Sequence, residues 1–561
     1  MKTYSYLALA VFFVIIDRVT PVIFPVPNNE DADFWYEHGK VELAKAEAWA
    51  YSLGQREFRR PKNIIIFVGD GMSLSTVTAA RILKGQTQYG FSGEETQLLW
   101  ERFPSLSLIK TYNVDRQVPD SAATASAMFT GVKTNFKTLG FDNSIKSGDP
   151  QSQVEARKVD SILTWAQQAG MKTGLVTNSR LTHGTPAALY AHTAHRYWEC
   201  DAKIPEHHLE GVLDIGSQLV GSSPGLKTNV MFGGGDRALR NPDHSPPEKW
   251  SCVRQDGRDL IQEWMSHLEK EKASHRFVSD RESLLGIQKQ DNLDHVLGVF
   301  APKHMDYEDK RDNSSSGQPS LKEMTLKAIE VLENNDKGYF LMVENGQIDR
   351  AHHEGQANRA MAEVLVLEQV IEATLEQVDL EETLVIVTAD HGHTLSISGY
   401  PPRGNQIGGL IPNDPLRMKD TYPYTALNYA NGPGYVNAFN KNGERVDLSE
   451  TDTNDMDFLH PSLIPMGSGV HSGHDVGLWA TGPMSYFFHT THEQSYIGHV
   501  MAYAICSGPY NQTCRRHLDR LKAIEMRSID VNESSRLQLP STFTVFTVVV
   551  LLFQDRIHTF R

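Results

Sequence analysis

The stretch NIIIFVGDG, residues 63–71, decides the fold. Consecutive apolar residues lead straight into Asp70, which is typical of a strand buried on both faces of a parallel sheet. Three more stretches follow the same plan, at residues 172–179, 338–345 and 383–393. Helical patterns lie between the strands, at residues 76–85, 161–170 and 358–377. This alternation predicts an α/β fold with a large, mostly parallel central sheet flanked by helices on both faces.

Acidic and histidine side chains follow these predicted strands. In such sheets the active site lies beyond the carboxyl ends of the strands. The candidates at this edge are Asp70, His183, Thr185, Glu344, Asp349, Asp390 and His391. Unpaired carboxylates gathered there would repel one another, so the sequence predicts cations between them. The net charge of −15 argues against a nucleic-acid partner, and bound cations would supply the local positive charge that an anionic substrate needs.

The spacing of the candidates indicates which ions they bind. Asp349 and His353 are four residues apart, so one helical turn brings both to the same face as a zinc-type pair. A third ligand must come from elsewhere, and HSGHD, residues 471–475, is a good source. Asp390 and His391 are adjacent, so the chain must turn there for both to bind one ion. The remaining oxygen donors, Asp70, Thr185 and Glu344, favour a hard ion such as Mg²⁺.

One serine stands out in VPDSAATASA, residues 118–127. A serine hydroxyl is a weak nucleophile near neutral pH, but a divalent cation on its oxygen lowers the pKa of the hydroxyl. The small residues after Ser121 allow a helix to begin at this serine, and a helix N-terminus stabilises nearby negative charge. Ser121 is therefore the candidate nucleophile.

Several long stretches together resemble animal, insect-like membrane-bound alkaline phosphatases over roughly residues 30–515. They include FVGDGMSLSTVTAARILKGQ, VPDSAATASA, THGTPAALYAHTAHR, GYFLMVENGQIDRAHHEG, TADHGH, HSGHDV and HEQSYIGHVMAYA. The resemblance implies hydrolysis of small phosphate monoesters through a phosphoserine intermediate. It also implies a homodimer, in which an N-terminal arm around residues 31–40 embraces the partner subunit.

The same resemblance assigns roles to individual residues. Ser121 would be the nucleophile, and the guanidinium fork of Arg196 would bind two phosphate oxygens, a task that lysine fits poorly. The implied cofactors are two zinc ions and one magnesium ion. Their ligands would be Asp349, His353 and His471 for one zinc, Asp70, Asp390 and His391 for the other, and Asp70, Thr185 and Glu344 for magnesium. His183 and Arg350 would lie just behind these groups.

Other positions depart from the relatives or invite a second interpretation. No calcium site is expected, because Ala301 and Gln318 stand where vertebrate relatives carry acids. Three additional histidines, at positions 352, 393 and 474, are expected to support the site or contact solvent rather than bind metal.

Other functions on the same fold are alternatives to phosphomonoester hydrolysis. A related phosphodiesterase usually carries threonine at the nucleophile position, and a sulfatase carries a modified cysteine, so Ser121 with Arg196 speaks against both. A catalytically silent surface receptor is the other alternative. That alternative predicts a missing ligand or nucleophile, and the chain has all of them.

The chain ends indicate export. Residues 1–20 combine a lysine with an apolar run, which predicts a signal peptide, and the apolar run at 541–553 after a polar spacer predicts a GPI anchor on the extracellular face. The charged finish QDRIHTFR is unusual for such a signal, so an ordinary C-terminal extension is the alternative. Glycosylation sequons occur at Asn313, Asn511 and Asn532.

Four cysteines fit a secreted, oxidised protein with two disulfides, for which three connectivities are possible. Cys506 and Cys514 would close a short loop, which leaves Cys200 and Cys252 as the natural second pair. We expect the chain to be organised into a signal peptide (1–20), an N-terminal arm (21–60), a catalytic domain (61–399 and 468–515), a loop-rich crown insert (400–467), a spacer (516–540) and a tail (541–561).

Overall fold

The computed structural model describes residues 30–52, 59–155, 158–205, 211–249, 251–411 and 420–511. The described residues up to Gly508 belong to one unit, and a second unit begins at Pro509. The predicted signal peptide, the spacer with its sequon at Asn532, the apolar tail and Cys514 lie outside the described residues. No helix within the described ranges has the length and apolar character needed to cross a membrane.

The described residues form seventeen strands, most of them short. They are β1 (Asn63–Gly69), β2 (Ser105–Lys110), β3 (Lys172–Arg180), β4 (Val230–Gly234), β5 (His275–Val278), β6 (His295–Val299), β7 (Tyr339–Asn345), β8 (Thr383–Thr388), β9 (Gly392–His393), β10 (Leu395–Ile397), β11 (Leu410–Ile411), β12 (Tyr424–Thr425), β13 (Leu427–Gly432), β14 (Ser462–Pro465), β15 (His471–Ser472), β16 (Val476–Thr481) and β17 (Thr490–Glu493).

The central sheet has ten strands in the order β17-β2-β16-β8-β1-β7-β3-β4-β6-β5. Strand β1 lies between β7 and β8 and is parallel to both, with Ile66 beside Met342 on one side and Ile386 on the other. Ile64 through Val68 are 0% exposed, because both faces of the sheet are covered at this central strand. Strand β16 runs antiparallel to β2 and β8, so the sheet is mostly parallel, as expected.

Fifteen α-helices accompany these strands in the part of the chain that the structure describes. They are α1 (Ala32–Ser52), α2 (Leu74–Lys84), α3 (Ser121–Thr130), α4 (Ser152–Glu155), α5 (Ile162–Gln168), α6 (Gly184–Ala187), α7 (Ile215–Gly221), α8 (Asp236–Leu239), α9 (Leu260–Glu271), α10 (Arg281–Leu285), α11 (Leu321–Leu332), α12 (Gln347–His353), α13 (Ala357–Gln377), α14 (Tyr435–Ala438) and α15 (Ser495–Ala504). The fold class predicted from the alternating pattern is confirmed.

Small sheets extend the fold beyond β8. Strands β10, β13 and β14 form one sheet, and β11 pairs with β12. This loop-rich region corresponds to the predicted crown insert, although its sheet already begins at Leu395. The domain boundaries stay a prediction. Strand β15 pairs with β9, and this pairing places His471 opposite His393 beside the carboxyl edge of the central sheet.

Helix α1 packs against α15 of its own chain. The carboxylate of Glu42 lies 3.1 Å from His492, and Glu47 accepts a hydrogen bond from Tyr503. The expected arm is thus a helix with substantial contacts inside the chain. The predicted disulfide between Cys200 and Cys252 is present, with the two Cα atoms 5.9 Å apart.

Candidate active site

The candidate residues meet where four neighbouring strands end. Strands β8, β1, β7 and β3 are adjacent in the sheet, so their carboxyl ends form one continuous edge. Asp70 follows β1, and Glu344 is the second-last residue of β7. Asp390 and His391 follow β8. The chain leaves the sheet after Thr388, so Asp390 and His391 occupy the predicted turn before β9.

Ser121 is the first residue of α3, as the run of small residues predicts. Asp120 caps this helix, because its side chain accepts a hydrogen bond from Ala122 N at 3.2 Å. Ser121 is only 1% exposed, and its hydroxyl points to the strand ends. Gly184 lies against the start of α3, since a Cβ placed on it would lie 3.1 Å from Ala122 N. The backbones therefore approach closely beside the nucleophile.

One group of donor atoms surrounds the Ser121 hydroxyl. His391 Nε2 lies 3.1 Å from Ser121 Oγ, 3.4 Å from Asp70 Oδ1 and 3.2 Å from Asp390 Oδ2. In a tetrahedral site with zinc–ligand bonds of about 2.0–2.2 Å, neighbouring donor atoms lie about 3.3–3.6 Å apart. The observed spacing fits four ligands around one small ion.

A second group lies beside it on α12 and β15. Asp349 Oδ2 is 3.4 Å from His353 Nε2, and Asp349 Oδ1 is 3.5 Å from His471 Nε2. The two imidazole nitrogens are 3.1 Å apart. Their other nitrogens contact backbone carbonyls, His353 Nδ1 that of Gly469 and His471 Nδ1 that of Pro119, which holds both rings with Nε2 towards Asp349. This spacing again matches the edges of a tetrahedral zinc site.

A third group contains only oxygen donors. Glu344 and Thr185 are both 0% exposed, and Thr177 donates a hydrogen bond to Glu344 Oε2. The other carboxylate oxygen of Glu344, the hydroxyl oxygen of Thr185 and both carboxylate oxygens of Asp70 are buried without a hydrogen-bond partner. Buried polar atoms are almost always satisfied, so these unsatisfied oxygens favour a hard cation between them.

The electrostatics of the edge lead to the same conclusion. Burial, followed by repulsion from Asp349, Asp390 and Glu344, holds the pKa of Asp70 well above its usual range. Burial raises the pKa of Glu344 to about 7. Carboxylates that resist ionisation in this way need positive charge nearby to act as anions. The donor atoms present therefore fit two zinc ions and one magnesium ion.

Arg196 flanks the nucleophile on the side of α3. Its Nη1 donates to Asp120 Oδ2 at 3.1 Å, and its Nη2 donates to His183 Nε2 at 2.9 Å. Burial and the neighbouring Arg196 and Arg180 hold the pKa of His183 well below its usual range, so His183 is neutral and accepts this hydrogen bond. Arg196 is buried and fixed on two sides, as a group that orients phosphate should be.

Arg350 contacts Glu354, the residue after α12, and Tyr307. Its Nε lies 3.1 Å from Glu354 Oε1, and its guanidinium carbon lies 4.4 Å from the centre of the Tyr307 ring. The structure brings together all the other predicted residues, and the placement of Arg350 just behind them stays a prediction.

The additional histidines all make polar contacts, and the ligand atoms of His393, Asp349, His353 and His471 lie within 4.8 Å of one another. His393 Nε2 contacts Asp349 Oδ1 at 2.6 Å, which is a hydrogen-bond distance and orients this carboxylate. His352 uses both ring nitrogens, with Thr76 at 3.0 Å and Tyr429 at 2.7 Å. His474 contacts Ser472 Oγ at 3.1 Å. These four distances are ordinary hydrogen-bond lengths, and the expectation that these histidines do not bind metal stays a prediction.

Sequence reasoning missed the groups that position Arg196. Asp120 both caps α3 and pairs with Arg196, and the only signal was its place directly before Ser121. Behind His183 lies His304, with the two ring centres 5.2 Å apart. Arg180 contacts His304 and forms a two-pronged ion pair with Glu199 at 2.8 and 2.7 Å. These contacts join distant parts of the chain and leave no local pattern.

The fold and this site define a metal-dependent enzyme of the α/β class, in which the Ser121 hydroxyl lies buried among metal-ligand atoms. Comparisons with known proteins agree. The family model described as alkaline phosphatase matches residues 61–507. The human tissue-nonspecific alkaline phosphatase is 41% identical over 490 residues, covering 86% of this chain and 90% of the relative. Alkaline phosphatase 4 of Drosophila melanogaster is 37% identical over 524 residues, covering 88% and 85%.

Solved structures support the fold. The alkaline phosphatase of Thermus thermophilus superposes with a TM-score of 0.55 at 24% identity, covering 79% of this chain and 91% of that one. This chain belongs to the alkaline phosphatase family. It is a phosphomonoester hydrolase that uses two zinc ions and one magnesium ion, as predicted, and its animal relatives support a location at the cell surface or outside the cell.

Proposed function

We propose that Ser121 is the nucleophile of a two-step phosphoryl transfer and that Arg196 binds the phosphoryl group during both steps. The observation that carries this proposal is the position of Ser121 Oγ, 3.1 Å from His391 Nε2, within a buried group of metal-ligand atoms. Arg196 supports it, because Asp120 ties its guanidinium to the start of the same helix.

In the first step the Ser121 oxygen attacks phosphorus, loses its proton and forms the phosphoserine. The bond between phosphorus and the leaving oxygen breaks, and the alcohol takes up a proton. Arg196 donates hydrogen bonds to two non-bridging oxygens and stabilises their charge. Water then attacks the phosphoserine, which restores the Ser121 hydroxyl and releases phosphate. When bound, the divalent cations supply the positive charge that favours the ionised hydroxyl and offsets the carboxylates.

We assign the ligands as the sequence predicts. Asp349, His353 and His471 would bind one zinc ion, Asp70, Asp390 and His391 the other, and Asp70, Thr185 and Glu344 the magnesium ion. His353 keeps 33% of its side chain exposed whereas His391 is fully buried. The first zinc site therefore faces solvent, and we place the departing alcohol and the incoming water on that side.

A chromogenic phosphate ester tests this proposal directly. Ser121→Ala should abolish measurable turnover, and treatment of the wild type with a chelator should do the same until zinc and magnesium are restored. Ser266→Ala removes a hydroxyl from α9, at the far edge of the sheet, and should keep full activity. Unchanged turnover by Ser121→Ala would refute the role of this residue.

We also propose that the protein is a homodimer. An apolar surface in the crown supports this, because Leu463, Ile464 and Met466 are 65%, 48% and 41% exposed around β14. Helix α14 packs on the same strand and exposes 63% of Val436. A contiguous apolar surface of this kind is typical of an interface. Light scattering should give twice the chain mass for wild type, and Leu463→Asp should shift it towards the monomer.

The anchor is a third proposal. The apolar run at 541–553, the polar spacer before it and the secreted character of the cysteines support GPI attachment. Phosphatidylinositol-specific phospholipase C should release the activity from membranes of expressing cells. A chain truncated before residue 530 should instead appear in the medium. Activity that stays on the membrane after phospholipase treatment would contradict the anchor.

A further inference from the structure

Aromatic and cationic side chains line the rim beside Arg196. Lys137 Nζ lies 5.1 Å from the centre of the Tyr197 ring and 5.1 Å from the centre of the Phe136 ring. Tyr197 is 52% exposed and also contacts the His195 ring, with centres 5.1 Å apart. Arg116 approaches the Phe136 ring to 5.9 Å. The rim therefore combines the half-exposed ring of Tyr197 with positive charge.

Backbone hydrogen bonds fix this rim relative to the nucleophile. Lys137 N donates to Asp120 Oδ1 at 2.7 Å, and Asp120 directly precedes Ser121. Arg196 N donates to Lys137 O at 2.9 Å, and Tyr197 directly follows Arg196. The side chains of Lys137 and Tyr197 thus adjoin each other beside Arg196, so a leaving group that extends towards one would also meet the other.

Lys137 carries the rim charge that the acidic residues nearby do not neutralise. Within the described ranges, no carboxylate forms an ion pair with Lys137. Asp120 is committed to Arg196 at 3.1 Å, and Asp115 accepts from Phe136 N at 2.8 Å while it pairs with Arg116 at 3.5 Å. Burial, Lys137 and Arg196 lower the pKa of His195 to about 4, so this ring is neutral near neutral pH. Lys137 is left to attract an anionic ligand.

We propose that the rim formed by Lys137, Tyr197 and Phe136 binds the leaving group, and that it favours leaving groups with both a planar ring and a negative charge near the scissile bond, as in nucleoside diphosphates. This inference rests on the proposed roles of Ser121 and Arg196. With such a substrate the Ser121 oxygen bonds to the terminal phosphorus, and the bond from that phosphorus to the bridging oxygen breaks. A nucleoside monophosphate leaves with the bridging oxygen, and water later releases phosphate from the serine.

Four substrates separate the two features. A nucleoside diphosphate has a ring and a charged leaving group, and pyrophosphate has the charge alone. Phenyl phosphate has the ring alone, and glycerol phosphate has neither. All four form the same phosphoserine, so discrimination between leaving groups is read from kcat/KM. The variants are Lys137→Met and Tyr197→Leu, with Lys137→Arg and Tyr197→Phe as conservative partners. Lys270→Met, an exposed lysine on α9, is the matched control for charge.

Lys137→Met should lower kcat/KM for the two charged leaving groups relative to the two neutral ones by roughly fourfold, the value for one charge pair at about 5 Å in a solvent-like medium. This ratio should change little in Lys137→Arg or Lys270→Met, and 1 M salt should remove the preference. Tyr197→Leu should lower kcat/KM for the ring-bearing substrates relative to the others by roughly five- to tenfold, and Tyr197→Phe should not.

The proposal is overturned if both ratios stay at their wild-type values in Lys137→Met and Tyr197→Leu. It is equally overturned if all four substrates fall by the same factor, because that pattern reports damage to Arg196 rather than a leaving-group contact. Either result leaves the phosphoserine mechanism intact. Failure of that mechanism would show separately, as turnover that survives Ser121→Ala.

Discussion

Replacement of Arg196 tests the geometry beside the nucleophile most closely. One hydrogen on Nη1 serves Asp120 and one on Nη2 serves His183, so one hydrogen on each nitrogen remains for phosphate. Two hydrogen bonds from a charged group contribute about 1.5–3 kcal/mol each. Arg196→Ala should therefore raise the barrier by about 3–6 kcal/mol, which lowers kcat/KM by roughly a hundredfold to ten-thousandfold.

The assay is hydrolysis of a chromogenic phosphate ester together with inhibition by inorganic phosphate. Phosphate inhibition should weaken in parallel with the loss in kcat/KM, because both depend on the same two hydrogen bonds. Arg196→Lys keeps the charge but loses the fork, so it should recover only part of the activity. Arg240→Ala, on the surface beside α8, controls for loss of an arginine. A less than tenfold loss with unaltered phosphate inhibition would refute the reasoning.

Four further predictions follow from particular contacts. Gly184→Ala would place a Cβ 3.0 Å from the Arg196 guanidinium, so kcat/KM should fall by about tenfold or more while the thermal midpoint falls only slightly; wild-type kinetics would contradict this. Cys252→Ser opens a disulfide with a sequence separation of 52, and the free energy of unfolding should fall by about 4 kcal/mol in denaturant titrations, whereas no change would count against the cross-link. Burial lowers the pKa of Lys133 to about 8 although Glu493 lies 2.8 Å away. Between pH 8 and 10.5, the ordinary pKa of lysine, Lys133 binds a proton in the unfolded chain but not in the folded one. The free energy of unfolding should therefore rise by about 3 kcal/mol over that interval relative to Lys133→Met. Parallel curves for the two proteins would refute this prediction. Anomalous diffraction at the zinc edge should show two peaks, one among Asp349, His353 and His471 and one among Asp70, Asp390 and His391, and zinc found elsewhere would overturn the ligand assignment.

The sequence predicts the central fold because its strands carry strong local signals. β1, β7 and β8 are buried on both faces, so each appears as an uninterrupted apolar run. Other strands lack such an uninterrupted apolar run and are harder to predict. β2 alternates buried and exposed residues and leaves Leu106 55% exposed, so its pattern is weaker than that of a central strand. β17 begins a stretch that otherwise has the pattern of helix α15.

The candidate site was predictable where chemistry and spacing coincide. Asp349 and His353 share α12, and Ser121 begins α3, because both features depend on neighbours a few residues away. The pairing of Asp120 with Arg196 spans 76 residues of sequence, and only the folded chain brings the two together. The contact of Lys137 with Tyr197 on the rim also joins residues far apart in the sequence. The sequence therefore predicted the candidate catalytic residues but not the proposed contacts with the leaving group.

A covalent phosphoserine at Ser121 is the central claim, and acid quenching tests it most directly. The holoenzyme is mixed with a phosphate monoester, stopped in acid within the first turnovers and digested for mass spectrometry. The account predicts one phosphoryl group on the peptide that contains Ser121, and none in Ser121→Ala. Phosphate on another residue, or turnover with no phosphopeptide under any quench time, would contradict it.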